Sequence, residues 1–461
     1  MTALLDQIAA IVGPKGLISG EDVALRAADW MGLAKCQAKA VVRPASTQEL
    51  SAVMKLCHAA GQVVVPVGGL TGLVHGTDSA PTDIQVSLER MRAVEAVDPV
   101  GRTMTVEAGI PVQAAQEAAE QHGLKFAVDW GGRGSATIGG GISTNAGGNA
   151  VIRYGMMRDN VLGVEAVLAD GTIISAMNSL LKNNAAYDLK HLFIGSEGTL
   201  GIVTRAVLKL QSAPLGQSTA LVALDSFAAV QRFFMHMGQR LGSGLTAFEV
   251  MWASFYEPIA ITSGRHNPPL PGGHPFYILT EMSGLDPERD AEVFAAVLAD
   301  ALEQGIVVDA VIAASKAQGT QMWAIRDDIE ALYHHTLPSV TFDVSMPITA
   351  MDAYVGKVRA DVQAAWGDAA KLVVFGHIGD GNLHLLVGPR PFDEAARHHA
   401  EEIVYGALVP VKGSISAEHG IGVEKRDWLH ISRTPEEIAL MRTLKTALDP
   451  KGILNPGKVL A

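Results

Sequence analysis

The apolar positions of this chain fall into two regimes that change over near residue 213. Before it, short apolar runs alternate with glycine clusters: Gln62–Pro66, Ile84–Leu88 and Thr103–Ala108 read as strands. Ser46 and Glu49 open a capping box for a helix that runs to residue 60 and stops at Gly61. Ile110–His122 reads as a helix ending at Gly123, and Asn160–Leu168 folds back on Thr172–Ile174 through Asp170-Gly171. After residue 213 helices and strands alternate. Phe227–Gln239 and Pro287–Glu303 predict helices, Phe276–Glu281 and Ile306–Ala313 strands, and the five prolines of 255–275 a loop. This region reads as an α+β domain on an antiparallel sheet. A last helix over Ser432–Leu448 leads into the turn-rich Asp449–Gly457.

Two further strand-like runs, Lys371–Phe375 and Leu383–Val387, flank Gly376-His-Ile-Gly-Asp-Gly-Asn382. Asp380-Gly381 predicts a tight turn there, because glycine accepts positive φ. A simple strand puts residues seven apart on opposite faces, so the turn is what lets His377 and His384 converge. With Glu418, from Ser416-Ala-Glu-His-Gly420, they form a set suited to Zn²⁺ or a similar divalent ion with one position open. The alternative is a tight turn that happens to carry two histidines. His419 adds a titratable group beside the carboxylate.

Three glycine-rich stretches lie upstream: Gly68-Gly-Leu-Thr-Gly72, Gly139-Gly-Gly141 with Gly147-Gly148, and Gly195–Gly201. The first has neither G-x-G-x-x-G spacing nor a Gly-Lys-Ser/Thr end, so it is neither a Rossmann nor a P-loop fingerprint. Glycine still exposes backbone N–H groups and allows close approach. Together the stretches point to a large extended nucleotide, against the plainer reading of tight turns.

Composition narrows the field. Length suggests two or three domains at roughly 150 residues each. A net charge of −12 argues against nucleic acid and anionic lipid as main partners, though not against small anionic substrates. Cys36 and Cys57 build no disulfide framework, which fits a reducing compartment. The start, from Met1, reads as an amphipathic helix without the basic segment of a signal peptide. No apolar run reaches about 18 residues, so any membrane contact is expected to be peripheral.

Pro66-Val-Gly-Gly-Leu-Thr-Gly-Leu73, Ile138–Gly148, Tyr187–Gly201, His377–His384, Ser416–Gly422 and Asp449–Pro456 occur in an order that resembles the FAD-dependent D-2-hydroxyacid dehydrogenases of the vanillyl-alcohol-oxidase type. The resemblance covers the chain from near Asp29-Trp30 onward. It implies an α+β protein: a two-lobed FAD-binding domain (1–213), an α+β substrate or cap domain with an antiparallel sheet (214–410), and a helical C-terminal segment returning toward the flavin (411–461). By this likeness Pro66, Gly68, Gly69, Leu70, Thr71 and Gly72 hold the pyrophosphate of a non-covalent FAD. Ser135, Gly139, Gly140, Thr144, Asn145, Gly148, Gly198 and Ile202 line the rest, with Asn455 near the flavin. His377, His384 and Glu418 bind zinc or another divalent metal, His419 is the base, and Arg326 grips the substrate carboxylate. The implied reaction is hydride transfer from substrate Cα to flavin N5, yielding a 2-oxoacid.

The chain departs from the hydroxyglutarate branch where that branch carries a threonine, a lysine and an asparagine; here stand Glu330, Thr341 and Leu386. Those changes remove groups suited to a second carboxylate and point to a D-lactate-like monocarboxylate, with D-2-hydroxyglutarate or D-malate as the alternative. His75 replaces a glycine usual in the family loop and reads as a turn histidine. The expected acceptor is a quinone or an electron-transfer flavoprotein, the expected location cytoplasmic or peripheral to the inner face of a membrane, and a homodimer is possible. A flavin-free zinc hydrolase, an electron-transfer subunit and an oxygen-using oxidase stay open as competing readings.

Overall fold

A computed structural model describes residues 2–30, 32 and 34–460; Met1, where the N-terminal helix was expected to begin, lies outside them. The chain divides into two compact units. One gathers Met1–Gly148, Tyr154–Ala213 and Glu418–Ala461, the other Asn149–Arg153 and Pro214–Ala417.

The first unit holds two main sheets. In a four-stranded sheet the order is Leu17–Ser19, Ala40–Val42, Ile84–Ser87, Val64–Val67, with the last three parallel. The helix Thr47–Ala60 lies between two of these strands in sequence. Ser46 Oγ accepts from the Glu49 amide, and Gly61 ends the helix at φ 63°, as the start and stop signals predict. A five-stranded antiparallel sheet follows, in the order Val94–Asp98, Thr103–Glu107, Ile202–Lys209, Val161–Val167, Ile173–Ala176. The last two are the expected hairpin. Buried Leu50, Met54, Ile84, Met104, Val106, Ala166 and Leu208 belong to one core that serves both sheets.

The glycine stretch at 138 differs from expectation: Ile138–Thr144 is a helix. Thr137 caps its first turn and Asn145, at φ 52°, ends it. Only small residues fit there, since a Cβ on Gly139 would lie 2.8 Å from that of Ala108.

The C-terminal tail belongs to this unit. The Val64 amide donates to Ile453 O and the Asn455 amide to Val64 O, both at 2.8 Å, so the tail extends the parallel sheet beside Val64. Asp449 accepts the amides of Ile453 and Leu454, and Lys445 Nζ holds Asp449, Leu454 O and Thr199 O.

The second unit is built on a seven-stranded antiparallel sheet, ordered Asp309–Ile312, Gly216–Leu224, Phe276–Gly284, Leu245–Trp252, Lys371–Gly376, Asn382–Gly388, Val340–Ser345. Register sets Met251 opposite Phe375, Phe375 opposite His384 and His384 opposite Asp343. Since side chains alternate between faces, Glu249, His377, Leu386 and Thr341 fall on the same face as that row. Its apolar part packs Met251, Phe255, Tyr277, Leu279, Phe375 and Leu386 against Ile325 and Leu332. Those two come from the helices Lys316–Arg326 and Ile329–Thr336. The predicted loop at 255–275 begins instead with Ala253–Tyr256 and the wide turn Glu257–Ile261.

Candidate active site

The turn between the two strands is Ile378–Asp380, closed by Gly381 at φ 87°. It sets the rings of His377 and His384 5.3 Å apart, nearly perpendicular, and both are buried. Each has a fully buried carboxylate near it. His377 Nδ1 lies 2.8 Å from Glu249 Oε1, and His384 Nδ1 lies 3.8 Å from Asp343 Oδ1.

Arg326, at the end of its helix, is also buried. Its Nε donates to Glu249 Oε2 at 3.0 Å, its guanidinium stacks over Phe375 at 4.8 Å, and its Nη2 stands 3.4 Å from His377 Nε2. Burial pushes the Glu249 carboxyl up, but His377 and Arg326 outweigh it and hold the group below its ordinary value.

Asp343 also fastens the segment that carries the third expected ligand. Its Oδ1 accepts Asn382 Nδ2 at 2.6 Å, while Oδ2 accepts the Ala417 amide at 3.0 Å and the Ser416 hydroxyl at 3.4 Å. Glu418 is the next residue along the chain. One ligand atom each of His377 and His384 lie within 4.8 Å of each other, and so do those of Asp343 and His384. Paired imidazoles at this spacing suit a divalent ion such as zinc, which accepts a carboxylate beside them. Glu418 Oε1 also accepts the Gly148 amide at 2.7 Å.

The expected cofactor residues come together within the first unit. A Cβ on Gly69 would sit 1.9 Å from Ser135 O, and one on Gly68 would sit 2.7 Å from Thr137 Oγ1. The 68–72 loop therefore lies directly on the 135–140 segment. The amides of Gly69, Leu70, Thr71 and Gly72 find no acceptor among the described residues, as a backbone nest for a pyrophosphate requires. A Cβ on Gly198 would lie 2.6 Å from Pro66 Cγ. Asn455 donates to Gly76 O and Glu197 O, while its buried Oδ1 has no partner among the described residues. These features fit a bound dinucleotide. Thr144 Oγ1 turns back to Gly140 O, and Asn145 Oδ1 accepts the Arg158 amide. Ile202 is buried.

Two of the expected pocket residues fall differently. Glu330 is 79% exposed and bonded to Arg265 at 2.8 Å, so its charge is compensated at the surface. Leu386 is 1% exposed and belongs to the apolar core, where it packs rather than lines an open surface. Thr341 is half-buried beside it in register. His75, at φ 58°, is a turn histidine held by Asp78.

Sequence reasoning passed over Glu249, Asp343 and Glu197. The first two are lone acids in apolar strands, Leu-Thr-Ala-Phe-Glu-Val-Met-Trp and Val-Thr-Phe-Asp-Val-Ser. A charge at an interior position needs a partner, and that was the available signal. Glu197, at φ 51°, accepts the Ile421 and Gly422 amides with its two oxygens at 2.6 and 2.8 Å. Burial raises its carboxyl despite those two bonds.

Residues 214–459 match the C-terminal domain of FAD linked oxidases, and residues 38–176 match an FAD binding domain. The chain therefore belongs to the FAD-linked oxidase family. Within it the chain is an FAD-dependent D-2-hydroxyacid dehydrogenase, an oxidoreductase acting on CH–OH. It is 38% identical to the mitochondrial D-2-hydroxyglutarate dehydrogenase of Bos taurus, over 94% of this chain and 78% of that one. It is 40% identical to the D-2-hydroxyglutarate dehydrogenase of Xanthomonas citri pv. viticola, over 94% and 91%. Among solved structures, p-cresol methylhydroxylase matches with a TM-score of 0.76 at 14% identity, over 99% of this chain and 96% of that one. Alkyldihydroxyacetonephosphate synthase matches at 0.73 and 17%, over 99% and 84%. These likenesses show the vanillyl-alcohol-oxidase-type fold. The match to an FAD binding domain removes the flavin-free hydrolase alternative. Among the described residues no helix is long and apolar enough to cross a membrane.

Proposed function

We propose that this chain oxidises D-2-hydroxyglutarate to the 2-oxoacid, using FAD and a divalent metal held by His377, His384 and Glu418. The observation that carries the reading is the pair of buried imidazoles, His377 and His384, with one ligand atom of each within 4.8 Å of the other; Glu418 joins them as the third ligand by the family resemblance. Arg326 adds a buried guanidinium 3.4 Å from one of those imidazoles. The choice of acid follows the relatives named above and replaces the lean toward D-lactate. That lean rested on Glu330, Thr341 and Leu386, of which the first is a surface ion pair and the last a core leucine, and neither of those selects against a second carboxylate.

Bound FAD supplies a hydride acceptor at N5, and bound zinc supplies Lewis acidity toward a 2-hydroxyl. The chain's residues do the rest. Arg326, anchored by Glu249 through Nε and Nη2, offers its remaining N–H groups to the substrate 1-carboxylate. His419 takes the hydroxyl proton as the Cα–H bond breaks, a task suited to imidazole near neutral pH. The ion pair with Glu249 holds the buried guanidinium in place. We assign a quinone or an electron-transfer flavoprotein as acceptor, and a reducing compartment that suits the unbridged Cys36 and Cys57.

The test is steady-state oxidation of D-2-hydroxyglutarate, D-malate and D-lactate by the FAD-loaded protein with a dye acceptor. A kcat/KM for D-2-hydroxyglutarate at least about tenfold above D-lactate is expected, equivalent to about 1.4 kcal/mol of transition-state discrimination. A preference for D-lactate would overturn the substrate assignment.

A further inference from the structure

Glu249 stands out because one buried carboxylate serves two functional side chains with different oxygens. Oε1 takes the Nδ1 hydrogen of His377 at 2.8 Å, and Oε2 takes the Nε hydrogen of Arg326 at 3.0 Å. Glu249 sits mid-strand in Leu245–Trp252, is 1% exposed, and is flanked on its own face by Met251 and, across the ladder, by Leu279. Nothing in that apolar setting calls for a carboxylate except its two partners. A buried acid of this kind persists only when its charge is used.

We propose that Glu249 is a positioning residue that sets the metal affinity and the substrate grip of this site together. This rests on the metal reading above and extends it to the group behind the ligand. Accepting the Nδ1 hydrogen selects the His377 tautomer that carries its lone pair on Nε2, and a carboxylate in that place strengthens an imidazole ligand. Accepting the Nε hydrogen fixes the rotation of the guanidinium, so Nη1 and the outer edge of Nη2 point one way. The same negative charge offsets the guanidinium, which stands 3.4 Å from His377 Nε2 and would repel a cation held there. One substitution should therefore disturb two measurable quantities that a merely structural residue would leave alone.

The test uses Glu249→Gln in the FAD-loaded protein. The amide oxygen can still accept from His377, but the amide nitrogen faces Arg326 and cannot. Zinc affinity is read without turnover, by equilibrium competition with a chromophoric chelator. We expect zinc to bind about 10- to 100-fold more weakly, the range typical of lost outer-shell partners. KM for D-2-hydroxyglutarate should rise by a larger factor than kcat falls. If the unpaired Arg326 prevents folding, the double variant Glu249→Gln with Arg326→Gln removes both charges at once, and its zinc affinity carries the same test. Glu249→Asp, with the carboxylate restored on a shorter stem, should recover part of the affinity. Wild-type protein that holds no divalent metal would sink the metal reading itself. Wild-type protein that holds zinc, with variants that hold it equally well at unchanged KM, would overturn the role of Glu249 alone.

Discussion

Asp343→Ala should loosen the segment that carries Glu418. Asp343 is fully buried, and its oxygens take Asn382 Nδ2, the Ala417 amide and the Ser416 hydroxyl among their donors. Asn382 keeps a second bond to Val344 O at 3.2 Å, and Ser416 is half-buried and can turn to water. The Ala417 amide loses its acceptor outright. A buried donor left without a partner costs about 1–3 kcal/mol, and since Ala417 is half-buried and Asn382 keeps a bond, the two together give roughly 2 kcal/mol. In a unit of roughly 200 residues, where each kcal/mol moves the midpoint by about 2–4 °C, the melting temperature should fall by about 4–8 °C. Hydrogen exchange at 414–417 should speed up before any other part of the sheet opens, because the lost bonds are local. Calorimetry with exchange mass spectrometry reads both quantities. A melting temperature within about 2 °C of wild type, with unchanged protection at Ala417, would refute the claim that Asp343 holds the segment.

Gly69→Ala should abolish FAD retention, because its Cβ would meet Ser135 O at 1.9 Å; a yellow variant with a wild-type flavin spectrum would contradict the cradle. Glu330→Thr should change stability by less than about 0.5 kcal/mol and leave KM for D-2-hydroxyglutarate within about twofold, because the side chain is 79% exposed; a large fall in KM would return it to the pocket. Burial pushes the Cys57 thiol up to about 12 from an ordinary 9.0. Above pH 9 the unfolded thiol ionises while the native one does not, so its contribution to stability is full below pH 9 and is lost as pH rises toward 12. Wild type should therefore lose about 1.4 kcal/mol per pH unit more than Cys57→Ala in that window, and parallel urea midpoints for the two proteins would show the thiol to be accessible.

Much of the fold was legible because its signals are local. Ser46 at an N-cap, Gly61 in the left-handed region, Asp170-Gly171 in a hairpin and Asp380-Gly381 in the active-site turn each act within a few residues. The glycine helix at 138–144 was not, because its helicity comes from the close wall of Ala108 and from the Thr137 and Asn145 caps, against the residues' own propensity. The same division runs through the site. His377 and His384 announce themselves by spacing across a turn. Glu249 and Asp343 lie 128 and 41 residues before the histidines they adjoin, and only the register of the sheet brings them there. Glu330 and Leu386 were misjudged because position in a motif says nothing about which way a side chain faces.

Joint action of a metal and a flavin on a D-2-hydroxyacid is read by titrating the anaerobic protein with D-2-hydroxyglutarate while following the flavin band near ~450 nm, before and after metal removal by a chelator. The native protein should bleach, the chelated protein with FAD still bound should not, and added zinc should restore bleaching. Equal bleaching with the metal demonstrably gone would contradict joint action.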